Sequence, residues 1–68
     1  MNKREMLVLN YIKRVENAVG IAQVARETSM PYDAAYGALY SLWSTGMVRK
    51  MTWGKRRYRW EFASNIQR

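Results

Sequence analysis

Half of the twelve Lys and Arg residues fall within eleven consecutive positions: Arg49, Lys50, Lys55, Arg56, Arg57 and Arg59. So dense a cluster attracts polyanions, nucleic acid first and an anionic membrane surface second. A second set, Tyr32, Tyr36 and Tyr40, is spaced i, i+4 and i+8. Tyrosine hydroxyls can hydrogen-bond phosphates or base edges, and the rings can pack on thymine methyls. Bond-making chemistry finds little support. The chain has no Cys and no His, which removes thiolate metal sites and the usual general base. Its acids are Glu5, Glu16, Glu27, Asp33 and Glu61, and no two lie three or four apart on a helix. Gly20, Gly37, Gly46 and Gly54 are too scattered for a phosphate-cradling loop. The expectation is a binding module, not an enzyme, with no metal, no cofactor and no small-molecule substrate.

These residues need a scaffold, and 68 residues with 49% hydrophobic content allow one small globular domain. A domain near this size buries only about 60% of its unfolded surface. No stretch approaches the roughly 18 apolar residues of a membrane span. The N-terminal run Met6-Leu7-Val8-Leu9 is too short for a signal-peptide core. A cytoplasmic, nucleoid-associated protein is expected, with one domain over 1–63 and a polar tail over 64–68.

The pattern predicts a first helix over 3–18. Asn2 and Glu5 have the spacing of a capping box, and Val8, Tyr11, Ile12, Val15 and Val19 form one apolar stripe. Lys13, Arg14, Glu16 and Asn17 fall on the wet side, and Gly20 is the expected stop. Ile21 then reads as a single bridging strand residue. A short second helix over 22–28 is anchored by Ala22, Val24 and Ala25 and broken after Thr28. Pro31 suits the first turn of a third helix reaching about residue 45, with Ala35, Ala38, Leu39 and Leu42 inward and Gly46 ending it. Beyond Met47, segments 47–53 and 57–62 read as strands around a turn at Gly54-Lys55, with Trp53 beside the turn. Tyr58, Trp60 and Phe62 should pack on the helices, and Arg57, Arg59 and Glu61 should face out. The fold class is α+β, mainly α: three helices followed by a two-stranded hairpin.

Two short helices joined by a tight turn form a helix-turn-helix, and a basic hairpin directly after adds a wing. The segment Leu42-Trp43-Ser44-Thr45-Gly46-Met47-Val48-Arg49-Lys50 resembles the junction at which winged helix-turn-helix regulators pass from recognition helix to wing. Upstream, 21–30 resembles their second helix and turn. The likeness spans roughly 6–62. In local pattern it is similar to the multiple-antibiotic-resistance type repressors. In size and in its Tyr-rich third helix it is similar to the small winged-helix regulators of bacterial fimbrial operons.

The resemblance implies a sequence-specific, double-stranded-DNA-binding transcription regulator, with helix 31–45 in the major groove and wing 49–59 on the backbone or in the minor groove. Removing the inward stripe leaves Tyr32, Asp33, Ala34, Tyr36, Gly37 and Tyr40 outward. Of these, Tyr32, Asp33, Tyr36, Gly37 and Tyr40 are the candidate base contacts. The face departs from the usual pattern in carrying no Arg, Lys, Asn or Gln for bidentate base contacts. Asp33 could accept from cytosine N4, and Gly37 would let the backbone come close. Arg49, Lys50, Lys55, Arg56, Arg57 and Arg59 are candidate backbone contacts, with Arg26, Thr28 and Ser29 near the turn. Lys3 and Arg4 could extend the patch. About four neutralised phosphates would give a slope of log affinity against log salt near −3.6. Trp43 is assigned to the core or a dimer contact, and Trp60 and Phe62 to the core.

Other readings remain. The Tyr ridge could be core, or could grip a second copy or a partner protein. The wing could be a solvated strand edge. Tyr and Trp rings could stack on RNA or single-stranded bases. A homodimer or a partner protein on adjacent DNA would extend the few base pairs one domain reads.

Overall fold

The computed structural model describes residues 1–15, 17–52, 54–55 and 57–63. Glu16, Trp53, Arg56 and the tail 64–68 lie outside the described residues, and so do the expectations placed on them. Helix α1 is Lys3–Val15, α2 Ile21–Glu27 and α3 Tyr32–Ser44; strands β1, Val48–Thr52, and β2, Tyr58–Phe62, follow. The expected order of three helices and a hairpin is the observed one.

The capping box at the start of α1 forms in both directions. The Glu5 amide donates to Asn2 Oδ1 at 2.8 Å, and the Asn2 amide donates to Glu5 Oε1 at 3.2 Å. This satisfies two N–H groups that a helix start leaves without internal partners. Both α2 and α3 end in the same device. After α2, Met30 N–H donates to the Ala25 carbonyl and Ser29 N–H to the Arg26 carbonyl. After α3, Met47 N–H donates to the Leu42 carbonyl and Gly46 N–H to the Trp43 carbonyl. Each is a Schellman turn, which needs a left-handed residue just past the helix. Gly46, at φ 82°, meets that need without strain, whereas Ser29, at φ 56°, is the one described non-glycine with positive φ.

The strands pair antiparallel in the register Val48↔Phe62, Lys50↔Trp60 and Thr52↔Tyr58, with Arg49↔Glu61 and Met51↔Arg59 on the other face. The core gathers Val8 and Ile12 of α1, Val24 of α2, Leu39 and Leu42 of α3, Val48 of β1 and Trp60 of β2. Trp60 is fully buried. Half-buried Gln23 joins α2 to α1 by donating from Nε2 to the Tyr11 hydroxyl at 2.9 Å.

Several expectations need correction. Helix α1 ends at Val15, not near residue 18. The strand-like residue is Val19, not Ile21. Val19 N–H donates to the Trp60 carbonyl at 2.9 Å, and Trp60 N–H returns to the Val19 carbonyl at 2.8 Å. An extended backbone at Val19 makes this pairing and buries the Val19 side chain in the core, and a continued helix could do neither. Gly20 is therefore no helix stop: it is extended (φ −85°, ψ 165°) and caps the start of α2. Ile21 opens α2 and is buried, while Ala22 is exposed. Pro31 sits one residue before α3, at its N-cap. Tyr58 does not close onto the helices; it is 41% exposed. Trp43 is likewise 43% exposed and is not a core residue.

Candidate nucleic-acid interface

Helix periodicity splits the exposed side of α3 into two flanks. Tyr32, Tyr36 and Tyr40 advance only about 40° per four residues, so they run along one flank. Tyr32 is 53% exposed and Tyr36 45%. The rings of Tyr36 and Tyr40 stack at 4.6 Å between centroids. Tyr40 is half-buried, set edge-on against Trp60 at 5.2 Å and Trp43 at 5.7 Å. Tyr40 therefore does not face out freely, as expected from α3 alone: the hairpin residue Trp60 packs against its ring. Hydrogen bonding of the Tyr36 hydroxyl to Tyr40, followed by the nearby Tyr40 phenol and desolvation, raises the Tyr36 pKa above the ordinary 10.0.

These tyrosines line a groove of about 500 Å³. Arg57, Tyr58 and Arg59 of the hairpin also line it, and Gly20, Ile21 and Ala22 complete the lining. The Tyr ridge and part of the basic hairpin thus share one side of the molecule.

Asp33 and Gly37 are not in that groove. About 100° per residue carries them to the other flank. There they line a smaller cleft of about 220 Å³ with Asn2, Arg4, Glu5, Ala34 and Ala38. The five candidate base contacts therefore form two groups, of which Tyr32, Tyr36 and Tyr40 meet the wing. Lys3 is exposed at the start of α1.

The cations also separate. Strand alternation puts Arg49 and Arg59 on the face opposite Val48 and Trp60. Arg49 Nη1 donates to Glu61 Oε2 at 2.9 Å, in a half-buried ion pair. Arg59 Nη1 donates to the Ala18 carbonyl at 3.3 Å while lining the groove. Lys50 lies on the inner face beside Trp60, not on the outer one. Its Nζ stands over three rings: Trp43 at 4.1 Å, Tyr58 at 4.6 Å and Tyr40 at 5.0 Å. Lys55 and Arg57 are exposed, with no ion pair to a described residue.

Near the turn, Thr28 Oγ1 donates to the Val24 carbonyl at 2.6 Å, which uses its hydroxyl proton inside α2. Ser29 is exposed. Arg26 is a solvated side chain 3.9 Å from Glu27. None of Arg26, Thr28 and Ser29 lines the groove.

Sequence reasoning missed two aromatic contributors. Tyr58 lies at the turn end of β2, beyond the reach of the inward stripe. Trp43 continues the spacing of Tyr36 and Tyr40 at i+7 and i+3, a signal that was present in the sequence.

No family model matches the sequence, and no curated protein matches it. Solved structures do. The chain is similar to the Zalpha domain of zebrafish PKZ in its apo form, with TM-score 0.78, 22% identity, and coverage of 88% of this chain and 91% of that one. It is similar to PKZ Zalpha in complex with ds(CG)6, with TM-score 0.83, 22% identity, and coverage of 94% and 100%. It is also similar to the homodimeric winged helix-turn-helix DNA-binding domain of a possible ArsR-family transcriptional regulator from Mycobacterium bovis. There the TM-score is 0.78, the identity 25% and the coverage 96% and 57%. With three helices, a hairpin closing over the third, and superposition on such domains along nearly its whole length, the chain has the winged-helix fold.

Proposed function

We propose that this chain binds double-stranded DNA and serves as a transcription regulator. Residues 1–63 act as one domain, and its place of work is the cytoplasm, at the nucleoid. The single observation that carries the reading is the groove lined by Tyr32, Tyr36 and Tyr40 on one element and Arg57 and Arg59 on another. A duplex seated there would meet phenol hydroxyls and rings from α3 while guanidinium groups meet its phosphates. The ds(CG)6 complex of the similar PKZ Zalpha supports the same use of the fold.

In this reading Tyr32 and Tyr36 make the groove-facing contacts, with Tyr40 behind them. Asp33 and Gly37 touch the duplex along the second flank. Lys55, Arg56, Arg57 and Arg59 hold the backbone, with Arg26, Ser29 and the turn at Thr28 as flanking contacts. Few bidentate donors face the bases, so affinity is carried by phosphates, and discrimination comes from the tyrosines and from duplex shape. A homodimer, or a partner on adjacent DNA, would supply longer-range specificity.

Selection from a random duplex pool, followed by titration at two salt concentrations, tests the reading. The expected outcome is salt-dependent duplex binding with an enriched sequence or conformation. Replacing Tyr36 by Ala should erode preference among duplexes by about tenfold or more, the scale of one good base contact, while non-specific binding changes less. Absence of duplex binding at low salt would overturn it. That result would favour use of the same flank on a protein, to which exposed Tyr32, Tyr36, Trp43 and Tyr58 are also suited.

A further inference from the structure

We propose that Lys50 is a positioning residue of the duplex-binding face: its ammonium, caged by Trp43, Tyr40 and Tyr58, fixes the hairpin against α3 and takes no phosphate. The inference rests on the duplex-binding reading. It reverses what the run of basic residues suggests, since in the sequence Lys50 is one more wing cation.

Three observations converge. The strand register pairs Lys50 with Trp60, the buried residue of β2, so its side chain rises from the inner face of the hairpin. Its Nζ lies 4.1, 4.6 and 5.0 Å from the centroids of Trp43, Tyr58 and Tyr40. These distances are within the range at which an aromatic quadrupole attracts a cation. Among the described residues the ion pairs are Arg26 with Glu27 and Arg49 with Glu61, and Lys50 takes part in neither. Its charge is therefore met by ring faces.

The cage joins the two halves of the groove. Tyr40 comes from α3 and Tyr58 from β2, and both line the groove, whereas Lys50 and Trp43 do not. A cation drawn to both rings sets the separation between ridge and hairpin. Lys50 is half-buried with its Nζ over the rings, whereas Lys55 and Arg57 are exposed. A compact ammonium on a four-carbon stem suits a site with three rings around it, where a planar guanidinium would stack on one.

Phosphate contacts and positioning contacts differ in their salt signature. A cation that neutralises a phosphate adds about 0.9 to the magnitude of the slope of log affinity against log salt. Lys50→Met keeps the length of the stem and removes the charge. The expected result is about a tenfold loss of duplex affinity with an unchanged slope, while Arg57→Gln lowers the slope by about 0.9. In the DNA-free protein, Lys50→Met should also shift the Trp43 indole N–H resonance, assigned by its absence in Trp43→Phe. A second variant, Trp43→Leu, removes the nearest ring and leaves Lys50 in place. It should also weaken duplex binding at constant slope, although Trp43 does not line the groove, and it serves where Lys50→Met does not fold. A slope lowered by about 0.9 in Lys50→Met, or full affinity in Trp43→Leu, would overturn the proposal. A chain that bound no duplex but kept the indole shift would refute the DNA reading and leave the cage standing.

Discussion

Ser29 holds a conformation that side chains resist. A left-handed residue other than glycine costs about 1–2 kcal/mol, and here the Schellman turn of α2 imposes it. Glycine at that position loses about 0.5–1 kcal/mol more chain entropy on folding. Ser29→Gly should therefore stabilise the domain by about 0.5–1 kcal/mol, read as a higher urea midpoint at unchanged m-value. Glu5 makes a pH prediction. Hydrogen bonding by the Ser41 side chain, and then by the Asn2 amide, holds its carboxyl below the ordinary 4.5. The unfolded chain takes up that proton more readily, so the contribution is complete above about pH 4.5 and is lost as pH falls through the lower folded value. Glu5→Gln removes it. The gap in melting temperature between the two proteins should be constant above pH 5 and shrink on acidification, and a gap that widened would contradict the assignment.

At the scale of elements, the helices and the hairpin were legible because their periods are clean. The stripe Ala35, Ala38, Leu39 and Leu42 is buried as a unit, and the Asn2–Glu5 box closes as its spacing implies. What stayed hidden was the side from which each element is covered. The apolar Val19 suited the α1 stripe by spacing, but a long-range backbone pairing with Trp60 claimed it. Lys50 counted as a wing cation because composition records charge and not strand parity, and parity follows from a register the turn conceals. Tyr40 reads as outward on α3 because the sequence gives a hairpin but not which flank of α3 its Trp60 covers. The tyrosine flank of the candidate site was therefore visible in the sequence, and its division from Asp33 and Gly37 is implied by the same helical period, whereas the hairpin residues that join the tyrosine flank in the groove were not. Element packing also ranks the losses: Trp60→Ala should cost about 3–5 kcal/mol, a large fraction of the stability of any small domain. A melting temperature within a few degrees of the parent would contradict its place in the core.

For the molecule as a whole, the question is how much duplex one body can hold. Its longest extent is 32 Å, about nine base pairs at ~3.4 Å each. Two half-sites one turn apart would need a second domain. The charge engaged is also smaller than composition suggests. With Arg49 paired to Glu61 and Lys50 caged, the wing offers Lys55, Arg57 and Arg59, and a fourth if Arg56 joins them. The slope of log affinity against log salt should then lie between about −2.7 for these three alone and about −4.5 with Arg56 and the flanking Arg26 added, and a slope of about −5.4 or steeper would mean that Arg49 or Lys50 also binds phosphate. The pairing of Val19 with Trp60 has a consequence for how the chain comes together. The same junction ties Arg59 to Ala18, across 41 positions of sequence. During synthesis the helices emerge before the tryptophan that seals them, so a nascent chain stalled ahead of residue 60 would display an open, greasy seam, which closes when the second strand pairs with Val19.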